Sequence, residues 1–221
     1  MLDYHCYTAL ATLHEPQTYH EASTDHLWQI VIKEELDALT KNHTWDLVTL
    51  PLGQFVVGCK WIYKIKTHSN GSIERYKARL VIKGFTQEYE INYEETFAPV
   101  ARISSVRDLL TVAAASKWDL FHMDIKNAFL NGDLSEEVYM QPPPGLSVES
   151  NKVCHLRRAF YGLKQAPQTW FAKFSSTIFR LGYTANSYDS ALFIHRTNKG
   201  TILLLLYMDD MIITGDDLSG I

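Results

Sequence analysis

Two adjacent carboxylates, Asp209 and Asp210, interrupt an apolar run, LLLLYMDDMIITG, between Leu203 and Gly215. The flanks read as buried strands, so the pair falls at the tip of a hairpin. A turn alone explains them, because aspartate side chains accept hydrogen bonds from nearby backbone amides. The chemical alternative is a metal site. Oxygen ligands at a rigid tip suit Mg²⁺, but one hairpin rarely completes the set. That alternative requires a third carboxylate at another strand end and a basic surface for phosphates.

Asp124 meets the first requirement. It closes a strand-like run, LFHMD, just before a chain reversal. Helix capping is the competing role for an aspartate there. With the hairpin pair it makes the minimum set for two ions about 3.5–4 Å apart, the arrangement used for in-line phosphoryl transfer. The second requirement is met by residues 59–84, CKWIYKIKTHSNGSIERYKARLVIKG, which read as a hairpin turning near Asn70-Gly71. Alternation puts Lys60, Lys64 and Lys66 on one face of the first strand, and Arg75, Lys77, Arg79 and Lys83 on one face of the second. Trp61, Tyr63, Ile65, Tyr76, Ala78, Leu80 and Ile82 take the other faces. Lysines on an edge hairpin also guard against aggregation. Seven bases against the single acid Glu74 exceed that need.

These residues need elements to position them. Residues 25–42 carry Trp28, Ile32, Leu36 and Leu39 at helical spacing, with Ser23, Thr24 or Asp25 as a cap. Residues 104–117 read as a helix capped by Ser104 or Ser105, and Gln165–Leu181 as a helix closed by Gly182. MQPPPG is an extended loop, and two apolar segments, 191–195 and 201–208, read as paired strands.

The 221 residues are 46% hydrophobic and 21% charged, an ordinary soluble composition. No apolar run approaches the roughly 20 residues of a membrane span, and the N-terminus lacks the basic region of a signal peptide. Cys6, Cys59 and Cys154 form no C-x-x-C pair, so neither a disulfide framework nor a zinc knuckle is indicated. The net charge of −4 conceals a segregation. Residues 1–50 hold eight acids and two bases, whereas 150–188 hold six bases and no acid.

The segments YMDD, HMDIKNAFLNGDLSEEVYMQPPPG, ERYKARLVIKGFTQ, CKWIYKIK and FYGLKQAP together resemble the reverse transcriptase of copia-type LTR retrotransposons. The resemblance runs from about Glu15 to Asp217, with the motifs in family order. It implies an α+β fold, the fingers–palm part of a right-handed polymerase. An antiparallel palm sheet would carry helices packed on one side. The basic fingers hairpin would occupy about 59–84 and the palm about 103–217, after a poorly ordered extension at 1–14. The chain ends soon after the paired aspartates, so the resemblance also implies that the thumb is absent.

Roles follow the same resemblance. Asp124, Asp209 and Asp210 would be the catalytic, metal-binding carboxylates for two Mg²⁺ ions, with Mn²⁺ as a substitute. Lys77 and Arg79 would contact the triphosphate. Phe129, five residues after Asp124, would exclude a ribonucleotide 2′-hydroxyl; a core phenylalanine is the alternative. Gly162 and Lys164 would line the nucleotide site, and Tyr161, Met208, Lys64 and Lys66 would contact primer or template. Tyr161 stands where retroviral relatives carry glutamine. The implied reaction is RNA-directed DNA synthesis from deoxynucleotides on an RNA or DNA template, with a DNA primer. Activity of the chain alone is expected to be weak or lost. An inactive remnant that binds nucleic acid or a protein partner is the alternative. Remaining polyprotein parts, RNase H and integrase, are implied partners. The implied setting is intracellular, in a cytoplasmic virus-like particle or the nucleus.

Overall fold

The computed structural model describes residues 13–217, so nearly all of the extension expected at 1–14 lies outside the described residues. The chain forms two compact units. One combines the chain up to Glu88 with Glu136–Leu163; the other combines Tyr89–Ser135 with the chain from Lys164 onward.

In the first unit a helical turn, α1 (Tyr19–Ala22), leads into α2 (His26–Lys41). The Asp25 carboxylate caps α2, accepting the Leu27 N–H at 2.8 Å. Trp28, Ile32, Leu36 and Leu39 are its buried residues, as their spacing predicts. The helix packs on the hairpin of β3 (Cys59–Thr67) and β4 (Ile73–Ile82). Trp28 meets Tyr63 and Tyr76 edge-on, at 5.3 and 4.8 Å between ring centres. The hairpin loop runs His68–Ser72, wider than a two-residue turn, because the register shifts after Lys66. Asn70 and Gly71 lie within it, and the Asn70 side chain accepts the Ser72 N–H at 3.0 Å. A second sheet joins β1 (Trp45–Thr49), β2 (Val56–Val57), β6 (Tyr139–Met140) and β7 (Lys152–Leu156), in the order β1-β7-β6-β2.

The second unit holds an antiparallel sheet of β5 (Leu120–Asp124), β8 (Thr184–Ala185), β9 (Leu192–Arg196), β10 (Thr201–Tyr207) and β11 (Asp210–Gly215). They lie in the order β5-β11-β10-β9-β8. Two helices accompany it, α3 (Ile103–Ser116) and α4 (Ala166–Arg180). The resemblance placed helices on one side of the sheet; here they lie on both. Ile202, Leu204 and Leu206 cluster with Trp170, Phe174 and Ile178 of α4. Leu203 and Leu205, on the opposite face of β10, join Leu109 and Val106 of α3. A strand covered on both faces needs an unbroken apolar run, which is why β10 reads ILLLL rather than alternating.

The start of α3 also departs from the sequence reading. Ser104 and Ser105 lie inside the helix, and its N-cap Arg102 makes no side-chain capping bond. The buried Asp189 serves instead, accepting from the Arg102 N–H at 3.1 Å and the Ser105 hydroxyl at 2.5 Å. The end of α4 is as expected: Gly182 takes φ 89°, and the Tyr183 N–H reaches back to the Ile178 carbonyl. Among the described residues no helix is long and apolar enough to cross a membrane.

Candidate active site

The sheet of the second unit brings the three aspartates to one end of its strands. Tyr207 and Asp210 close the β10–β11 hairpin as register partners, leaving Met208 and Asp209 as the turn. β11 then pairs with β5 so that Asp210 stands directly opposite Asp124. The Ile125 N–H donates to the Asp209 carbonyl at 2.8 Å, extending the pairing past the strand end. Residues 86 positions apart thus become neighbours through strand register. Asp124 is exposed, and Asp209 and Asp210 are half-buried.

The turn carries strain. Met208 sits at φ 58°, in the left-handed region, where a residue with a bulky side chain costs about 1–3 kcal/mol. Its carbonyl accepts the indole N–H of Trp170 at 2.9 Å. His122, two residues before Asp124 on the same face, approaches Asp210 Oδ1 with Nε2 at 3.0 Å. Neither Trp170 nor His122 stood out in the sequence. Trp170 lies within a segment read there only as a helix, and nothing in a linear pattern reveals a strand diagonal.

A hard, oxygen-only donor set on adjacent strand ends suits Mg²⁺ in its chemistry. The side chains do not close around a common point: among the described residues, no group of three or more His, Cys, Asp or Glu is arranged to hold a metal ion. The fit lies in the backbone register and donor type, and one oxygen of Asp210 is engaged by His122.

Two other expected residues belong to this unit. Phe129 lies in the 3₁₀ turn Ala128–Asn131, half-buried, and packs against the α4 cluster. Lys164 precedes α4; its ammonium lies 3.2 Å from the Tyr93 hydroxyl and 4.7 Å from the centre of that ring.

The remaining residues belong to the first unit. Register pairs Lys64 with Lys77 and Lys66 with Arg75, while Lys60 and Arg79 face Val81 and Ile62. All six charged side chains therefore share one face, as the alternation predicts. Lys64, Lys66, Lys77, Arg79, Tyr161 and Gly162 line a cleft of about 370 Å³. Directly opposed like charges destabilise a sheet. Burial, then the adjacent Arg79, Arg75 and Lys66, push the Lys77 ammonium below its ordinary pKa, with Glu35 opposing. Such crowding of cations is relieved by an anion.

The Arg79 guanidinium lies 4.0 Å over the ring of Tyr161. The next residue, Gly162, must be glycine for local reasons: it has φ 92°, and a Cβ would stand 2.1 Å from the Ile82 carbonyl oxygen. The Ile82 N–H donates to the Tyr161 carbonyl at 2.8 Å, which fastens this loop to the end of β4. Nothing in the linear pattern marks Glu15 as a partner of this hairpin. Its carboxylate accepts from Lys64 at 2.6 Å and from the Ile65 N–H at 2.9 Å. The Lys64 bond first, then the Ile65 bond, hold its pKa below the ordinary value.

Comparison with known proteins points one way. A family profile described as reverse transcriptase (RNA-dependent DNA polymerase) matches residues 42–221. The chain is 42% identical over 214 residues to the retrovirus-related Pol polyprotein from transposon RE2 of Arabidopsis thaliana, covering 95% of this chain and 15% of that protein. Against the RE1 polyprotein of the same plant the identity is also 42%, over 95% of this chain and 14% of the relative. The Pol polyprotein from transposon TNT 1-94 of Nicotiana tabacum is 43% identical over 84% of this chain and 14% of its own length. The chain therefore spans about one-seventh of these relatives.

Proposed function

This chain belongs to the reverse transcriptase (RNA-dependent DNA polymerase) family, and on that footing we propose that its second unit carries the carboxylates for nucleotidyl transfer from a deoxynucleoside triphosphate to a primer 3′-hydroxyl. The observation that carries this reading is the register of β5 against β11, which sets Asp124 opposite Asp210 with Asp209 in the adjoining turn. Asp124 and Asp209 would be the principal ligands of divalent metal, with Asp210, engaged by His122, the less direct one. When bound, such ions supply an activated hydroxyl and charge stabilisation at the leaving group.

The chain's own residues supply the rest. Lys77 and Arg79, with Lys64 and Lys66, present a concentrated positive field on the first unit that suits a triphosphate or a nucleic-acid backbone. Tyr161 offers a ring face, already stacked by Arg79, on which a base can rest. Lys164, braced by Tyr93, and Met208 beside Asp209 serve nucleotide and primer respectively.

The test is primer extension by the purified chain with Mg²⁺, a primed RNA template and deoxynucleotides, with Asp209→Asn as the blank. Extension that falls at least about 100-fold in the blank supports the reading. Extension unaffected by Asp209→Asn sinks it. The second reading, nucleic-acid binding without turnover, is favoured by the hairpin's opposed lysines. It predicts salt-dependent RNA binding that survives Asp209→Asn.

A further inference from the structure

We propose that Trp170 is a positioning residue for Asp209, acting through the turn that carries it; the inference rests on the polymerase reading above. Asp209 lies between two peptide units, and each is held by a hydrogen bond from outside the hairpin. The preceding unit contains the Met208 carbonyl, which takes the Trp170 indole N–H at 2.9 Å. The following unit contains the Asp209 carbonyl, which takes the Ile125 N–H at 2.8 Å. Fixing both planes fixes φ and ψ between them, and with them the direction of the Asp209 Cα–Cβ bond. The turn needs such restraint, because Met208 at φ 58° would relax if left alone.

The donor is itself rigid. Trp170 is 6% exposed and clusters with Phe174, Leu206 and Met211; the last two flank the turn on its two strands. Its ring centre lies 5.5 Å from that of Phe174. The helix is also gauged against the segment after β5. A Cβ on Gly132 would stand 3.1 Å from the Trp170 backbone nitrogen, so that segment crosses the helix in direct contact at this residue. One indole therefore ties the turn bearing Asp209 to the helix on which the segment following Asp124 rests.

A buried indole N–H commonly finds some acceptor, so simple satisfaction of the donor is the competing account. Trp61 provides the matched control: its indole N–H donates to the Pro144 carbonyl at 3.0 Å in the first unit, and it is 7% exposed. Amide hydrogen exchange is measured on the full chain, on Trp170→Phe and on Trp61→Phe, with Ile125 as reporter because its N–H ends on Asp209. In Trp170→Phe the Ile125 amide is expected to exchange about three- to tenfold faster relative to the amides of Leu204–Leu206, the range one lost hydrogen bond allows. Trp61→Phe leaves that ratio unchanged. If Trp170→Phe fails to fold, benzothienylalanine at position 170 keeps the ring volume and removes only the donor.

A parallel titration with Mn²⁺, read by paramagnetic broadening, is expected to show weaker binding in Trp170→Phe but not in Trp61→Phe. An Ile125 ratio unchanged by loss of the donor, or a uniform acceleration throughout the unit, overturns the inference. Absence of Mn²⁺ binding above the Asp209→Asn blank overturns the polymerase reading instead, and the Ile125 amide still judges the role of Trp170.

Discussion

At the residue scale, Phe129 has one observed role and one proposed. It packs against the α4 core, and five residues after Asp124 we propose that its ring meets a 2′-hydroxyl. Phe129→Ala should therefore cost about 1–2 kcal/mol of stability, less than a fully buried phenylalanine. In a polymerising chain it should also raise ribonucleotide use relative to deoxyribonucleotide use. The ratio of the two incorporation rates is the measurement; equal loss for both leaves Phe129 a core residue only. Asp189 provides a pH dependence. Burial raises its pKa, but the bonds from Ser105, the Arg102 N–H and the Ala191 N–H outweigh this and leave it below the ordinary 3.8. A carboxyl depressed in the folded state stabilises fully above its unfolded pKa, and that contribution drains away as pH falls through the folded value. Asp189→Asn should lower stability at neutral pH by about 1–3 kcal/mol. The gap to the unsubstituted chain should narrow below about pH 4, as denaturant melts at several pH values would show. A gap independent of pH would rule out charge as the source of the cap's strength.

At the element scale, the β3–β4 hairpin separates an apolar face against α2 from a cationic face against solvent. Lys66→Glu with Lys77→Glu leaves the apolar face intact. RNA affinity should drop, and the slope of log affinity against log salt should shrink by about 1.4–1.8, near 0.7–0.9 per lost phosphate contact. A fluorescence anisotropy titration at several salt concentrations measures both. An unchanged slope would assign these lysines to solubility.

At the scale of the whole molecule, the chain crosses between its two units three times, after Glu88, Ser135 and Leu163. The sheet of the first unit depends on this. β1 pairs with β7, and β2 with β6, both of which arrive only after the chain has returned. A fragment of residues 13–88 therefore leaves β1 and β2 without partners, and α2 with the hairpin as its main cover. It should lack the cooperative thermal transition of the intact chain; circular dichroism melts of the two decide. A sharp transition in the fragment would mean that α2 and the hairpin suffice as a core.

The sequence by itself determined several of the elements and the family, but none of the sheet formed by β1, β2, β6 and β7. Helical spacing set α2 and α4, period-2 alternation sorted the cations of β3–β4 to one face, and five ordered motifs carried the family. These are local signals, readable because neighbours along the chain remain neighbours in a helix or a strand. The tertiary structure decided what depends on register and on crossings between elements. It set Asp124 opposite Asp210, put Trp170 under the Met208 carbonyl, turned His122 to Asp210, brought Glu15 to Lys64 and made Asp189 the cap of α3. It also placed α3 and α4 on opposite faces of one sheet, where the resemblance put helices on a single side. The five pairs from Asp124–Asp210 to Asp189–Arg102 each join residues 38 or more positions apart, and no periodicity in the chain encodes which distant partner a hydrogen-bonding group will meet.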